Sequence, residues 1–149
     1  MENRNLIILI IVGLIFYMSM PIPYCKSIPV EELVSELPET VFTQAKMSEI
    51  RNELDEFGFI NVQTWGESMN PTILSNSQCY CEKKNEYSVG DIVLYFASNN
   101  QGIAHRLIYK NNDDYFLRGD NNNFTDVGVK ESQLICSIPE VKRWEVLWK

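Results

Sequence analysis

Histidine occurs once, at position 105, and no alanine precedes Ala45. Cations are also scarce: 13 Lys and Arg stand against 20 Asp and Glu, for a net charge of −7. The lone imidazole leaves little for a metal centre. The four cysteines do not make up the deficit, because Cys79 and Cys81 stand in a C-x-C spacing that is not a zinc pattern. The shortage of basic residues argues against a nucleic-acid partner, which needs a positive patch. The missing alanine removes an A-x-A cleavage site from the N-terminal segment. No repeat divides the 149 residues, which suffice for one domain with one core.

Charge is absent altogether from residues 6–25, "LIILIIVGLIFYMSMPIPYC". About 20 apolar residues in a helix cross a bilayer core of about 30 Å. The expectation is a single-pass transmembrane anchor over 5–25, in contact with membrane lipid through 6–25. Pro21 and Pro23 would end it, with Tyr17 and Tyr24 at headgroup level. A cleavable signal peptide is the rival, though Arg4 is the only basic side chain before the run and Ile22 to Cys25 lacks small residues. Arg4 favours a cytoplasmic N-terminus, offset by Glu2, and the acidic remainder is easier to place outside the cytoplasm. A disulfide from Cys79 or Cys81 to Cys136 and free buried thiols both fit the cysteine pattern.

Residues 26–58 read as an acidic helical spacer, broken by Pro29 and Pro38. Val41, Ala45, Ile50, Leu54 and Phe57 fall near helical spacing, and Gly58 is a stop. From 59 to 149 the texture becomes β: "FINVQTW", "QCYCEK", "DIVLYFA", "GIAHRLIYK", "DYFLRG" and "RWEVLW" alternate with Asn-, Asp- and Gly-rich turns. With no βαβ alternation, the expected fold is mainly β, antiparallel sheets folded into a small barrel-like domain.

Within that domain, "WGESMNPTIL" (65–74) puts Ser68 at a sharp exit from a strand, where a hydroxyl and its own N–H can be presented together. A serine hydroxyl needs a base within hydrogen-bond reach. The one imidazole, His105, shares a strand face with Ile103 and Leu107 at period two, and a His so placed is more often packed than catalytic. In "GDNNNFTD" (119–126), Asp120 or Asp126 can orient an imidazole; the same residues also serve as turn formers. A calcium loop fails because the spacing is wrong and no Glu closes it.

In order, "GESMNPT", "GDIVLY", "AHRLIY" and "RGDNNNFTD" resemble the type I signal peptidases, in the Ser-His-Asp branch of archaea and the endoplasmic reticulum. The resemblance covers about residues 62–136, together with the expected N-terminal anchor. His105 stands where the bacterial and mitochondrial branch has a Lys. The resemblance implies a membrane-anchored serine endopeptidase that cleaves signal peptides from secretory preproteins, without a cofactor or metal. It would lie in the cell membrane or the endoplasmic reticulum membrane, with its catalytic domain on the extracytoplasmic side and translocation machinery as a partner. It implies Ser68 as nucleophile, His105 as general base, Asp126 as first choice to orient it, and Asp120 as support or second choice. The Met69 backbone, with Gly66 and Pro71 flanking the nucleophile, would hold substrate by strand addition. Gly66 departs from the Ser that many members carry there, which removes a hydroxyl from the oxyanion site. More than forty residues separate the apolar run from Ser68, longer than the family pattern.

Two other readings stand beside this one. One is a non-catalytic, membrane-anchored peptide-binding β-domain. The other is a self-cleaving repressor-type protease with a Ser-Lys dyad on a related fold, which calls for a DNA-binding domain and a Lys at position 105.

Overall fold

A computed structural model describes residues 2–23, 25–27 and 42–142. The expected strand at 143–148 and residues 28–41 of the expected helical spacer lie outside the described residues. In chain order the elements are α1 (Glu2–Ser19), β1 (Pro21–Pro23), β2 (Cys25–Ser27), α2 (Gln44–Phe57), β3 (Phe59–Thr64), β4 (Ser77–Glu82), β5 (Ile92–Phe96), β6 (Gly102–Lys110), β7 (Tyr115–Arg118), β8 (Asp126–Val129), β9 (Leu134–Ile138) and β10 (Glu140–Lys142). They divide into two units, Met1–Pro23 with Glu140–Lys149, and Tyr24–Pro139.

The smaller unit holds α1 and the antiparallel pair β1–β10, with Ile22 opposite Val141. The helix stops at Ser19 and does not run to residue 25, because the prolines at 21 and 23 lack the N–H a helix needs. Among the described residues, no helix is long and apolar enough to cross a membrane. The side chains of Ile10, Ile11, Leu14, Ile15 and Phe16 are all exposed.

The larger unit is one antiparallel sheet in the order β2-β4-β9-β5-β6-β7-β8, with β3 paired to the outer edge of β4. The path is open: β3 and β8 each have one strand neighbour among the described residues, so the sheet is not the closed barrel expected. Closure would need those end strands to pair. Instead α2 packs beside β3 and buries Met47 and Leu54 in the core with Ile60, Ile73, Phe96 and Ile138. Met47 and Leu54 are buried and Ile50 is half-buried on the same stripe, whereas Ala45 and Phe57 face out. Thr43 caps its start by accepting from the Lys46 N–H, and Gly58, at φ +78°, ends it.

Strand β5 feeds both faces of the sheet. Ile92 and Phe96 join the cluster under α2, while Val93 and Tyr95 join Leu107, Leu117, Val129 and Leu134 on the other face. Two disulfides cross the first cluster, Cys25–Cys79 between β2 and β4 and Cys81–Cys136 between β4 and β9. The second is one of the two pairings the sequence allowed for Cys136.

Candidate active site

Ser68 sits in the turn that follows β3. Gly66 makes the bend at φ +87°, a conformation that side chains other than glycine rarely adopt. Beyond it the turn is closed by the Asn70 N–H donating to Glu67 O at 3.0 Å and the Ile73 N–H to Met69 O at 2.9 Å. Met69 and Ile73 are buried and fix the turn to the core. That is the work of the methionine in Ser-Met-x-Pro-Thr: it holds the turn down while Ser68 stays half-exposed.

A second segment grips the turn from the opposite side. The Asn121 N–H donates to Ser68 O at 2.8 Å, and Asn121 Nδ2 donates to Glu67 O at 3.1 Å. Gly119 lies so close that a Cβ there would meet Ser68 O at 2.5 Å, so no larger residue fits without displacing the turn. Asp120 completes the grip. It accepts from Thr72 Oγ1 at 2.5 Å and takes a two-pronged bond from Arg106, Nε at 2.9 Å and Nη2 at 2.8 Å. Burial alone would raise the Asp120 carboxyl, but the hydrogen bonds from Arg106 and Thr72 outweigh it and hold the group below the usual carboxylate range. Arg106 also donates to Gly90 O at 2.7 Å. The loop therefore ties the turn of Ser68 to the strand of His105.

His105 is on β6, opposite Val93 of β5, and is 5% exposed. Its Nδ1 is 2.5 Å from Asp126 Oδ2. A carboxylate oxygen only accepts, so Nδ1 carries a hydrogen, and in the neutral ring the lone pair is then on Nε2. Tyr95 donates its O–H to the same Oδ2 at 2.8 Å. Strand β7 ends at Arg118, opposite Arg106, so Gly102–His105 pair only with β5 among the described residues. That leaves room for Asp126, at the start of β8, to reach the ring.

Gly66, Ser68, Met69, His105 and Asp126 line one cleft of about 630 Å³. Asp120 and Pro71 are not among its lining residues; Asp120 acts on Arg106 and Thr72, and Pro71 is exposed. Among the described residues, no hydrogen bond joins Ser68 Oγ to His105, and the Ser68 N–H has no partner. Nucleophile–base bonds are often loose without substrate and tighten when it binds. Among the described residues, β3 and Gly102–His105 each have one edge without a strand partner, and residues of both line the same cleft. Phe42 closes one end, its ring 5.5 Å from that of Phe96 and against Gly102.

The model of the Peptidase S24-like family matches residues 34–138. The chain belongs to that family. Among curated proteins and among solved structures, nothing matches. The match spans every residue of the cleft and identifies a Peptidase S24-like domain of serine-protease type. It is broader than the signal-peptidase resemblance of the motifs. In this Peptidase S24-like chain position 105 is His and not Lys. Reasoning from sequence missed the contributions of Tyr95, Thr72 and Asn121. All three lie inside motifs already singled out, Tyr95 as the last residue of "GDIVLY", and a tyrosine in a buried strand needs a partner for its hydroxyl.

Proposed function

We propose that this Peptidase S24-like domain is a Ser-His-Asp endopeptidase for extended peptides, with the signal peptides of exported preproteins as its substrates. The observation that carries the reading is the His105 Nδ1–Asp126 contact, made by two residues that line the same cleft as Ser68. In the reaction, Ser68 Oγ attacks the scissile carbonyl as Nε2 takes its proton. The Ser68 N–H receives the developing oxyanion, and Nε2 returns the proton to the leaving amine. Water then hydrolyses the acyl-enzyme with His105 again as base.

The two unpaired strand edges support a peptide substrate, because an extended chain laid between them would complete hydrogen bonds on both sides. An extracytoplasmic location draws support from the two disulfides, which persist in oxidising compartments. Attachment to lipid through α1 draws support from its apolar side chains, exposed along consecutive positions. The test is cleavage of a tagged secretory preprotein by the full chain in detergent. Cleavage after a small residue, reduced about a millionfold by Ser68→Ala, is the expected result. Cleavage that survives Ser68→Ala would remove the nucleophile assignment.

A further inference from the structure

Asp126 Oδ2 accepts two hydrogen bonds, and only one of them comes from the imidazole. The other comes from Tyr95, 31 residues back on β5. Tyr95 is 2% exposed and packs among Val93, Leu107 and Leu117. Its strand partner is Ile103, while Val93 is the partner of His105. Tyr95 and His105 therefore sit diagonally on one face of adjacent strands, within reach of a single carboxylate oxygen from β8. Burial, and then the bond to Asp126, push the phenol well above its ordinary range, so it remains a donor at any working pH.

We infer that Tyr95 is a positioning residue, which fixes Asp126 so that the carboxylate holds His105 in the tautomer and orientation that the reaction needs. The inference rests on the Ser-His-Asp reading above. Asp126 lies at the end of a polar loop and is partly open to solvent. One contact to an imidazole leaves a carboxylate free to swing about its own χ angles, while a second donor on the same oxygen, from a rigid central strand, removes that freedom. The hydroxyl also satisfies itself by this bond, since a buried tyrosine O–H without a partner is costly.

The experiment is Tyr95→Phe in the full chain, alone and combined with Asp126→Asn, with preprotein cleavage and the imidazole NMR signals measured together. A hydrogen bond to a charged group corresponds to roughly a ten- to hundredfold effect, so Tyr95→Phe should lower kcat by about that factor with KM nearly unchanged. In the Asp126→Asn background the same substitution should cost nothing further, because its route to the imidazole is already gone. The chain has one histidine, so its ring signals are unambiguous; the Nδ1–H resonance should move in Tyr95→Phe. Equal losses in both backgrounds, wild-type kcat in Tyr95→Phe, or an unchanged Nδ1–H resonance would each overturn the inference and leave the endopeptidase reading intact. Absence of Ser68-dependent cleavage in the unsubstituted chain overturns the endopeptidase reading and this inference with it.

Discussion

Two aspartates bracket one short loop and do opposite jobs. Asp126 lines the cleft, and its Oδ2 bonds both His105 and Tyr95. Asp120 lies outside the cleft lining and joins Arg106 to Thr72, which fastens the turn of Ser68 to the strand of His105. In the proposed reaction, one carboxylate would act on the proton traffic and the other on the distance between the two residues that exchange the proton. Charge and residue type are the same. The difference comes from what the sheet delivers to each position: a buried face of β5 and β6 to Asp126, a guanidinium and a hydroxyl to Asp120.

Substitution breaks this comparison most sharply at Asp126. Asp126→Asn keeps the shape but offers an amide that favours the wrong tautomer of His105, so kcat should fall about ten-thousandfold with the fold intact. A loss no greater than that of Asp120→Asn would place the orienting role elsewhere. Asp120→Asn should lower cleavage roughly tenfold to a hundredfold, because a small misplacement of the reacting groups is enough for that. It should also lower Tm, which Asp126→Asn affects less.

The pH dependence of stability sharpens the contrast. The Asp120 carboxyl is held below its ordinary value of 3.8, so its contribution is complete above that pH and disappears as pH falls through the lower folded-state value. The Tm gap between the unsubstituted chain and Asp120→Asn should therefore be constant near neutrality and close in acid below about pH 3.8. A gap that persists there would mean that the loop is held by contacts other than the ionised carboxylate. The smallest effect is expected at Glu67. Its backbone carbonyl accepts from Asn70 and Asn121 while its side chain is exposed, so Glu67→Gln should change cleavage by less than about twofold.

Motif spacing carried much of the candidate site. Ser68, His105 and Asp126 were legible because each needs a distinctive local sequence: a bend with glycine, a strand with a polar residue among aliphatics, and a loop that enters β8. Tyr95 was not legible in this role, because "DIVLYFA" reads as a buried strand whatever its hydroxyl touches. The partition between Asp120 and Asp126 was legible as a preference, and the two contact sets come from the fold. Secondary structure followed the same logic. The end of α2 at Gly58 and the strands β3 to β7 follow from turn residues and β-rich runs. Strand β9, "LICSI", went unread since it is buried along its whole length and shows no alternation. Strand β8 was missed because its "DVGV" is short and interrupted by Gly128 at φ +71°. Barrel closure was read from strand spacing and the absence of βαβ alternation, and neither specifies whether the end strands meet.

The Cys25–Cys79 bond makes the stretch from residue 25 to residue 79 a covalent ring. A single cut anywhere between residues 26 and 78, by this protein or by another protease, opens the ring without dividing the molecule. Such a nicked chain would run as one band on a non-reducing gel and as two after thiol reduction, and the apolar helix at its start would remain chemically attached to Ser68, His105 and Asp126.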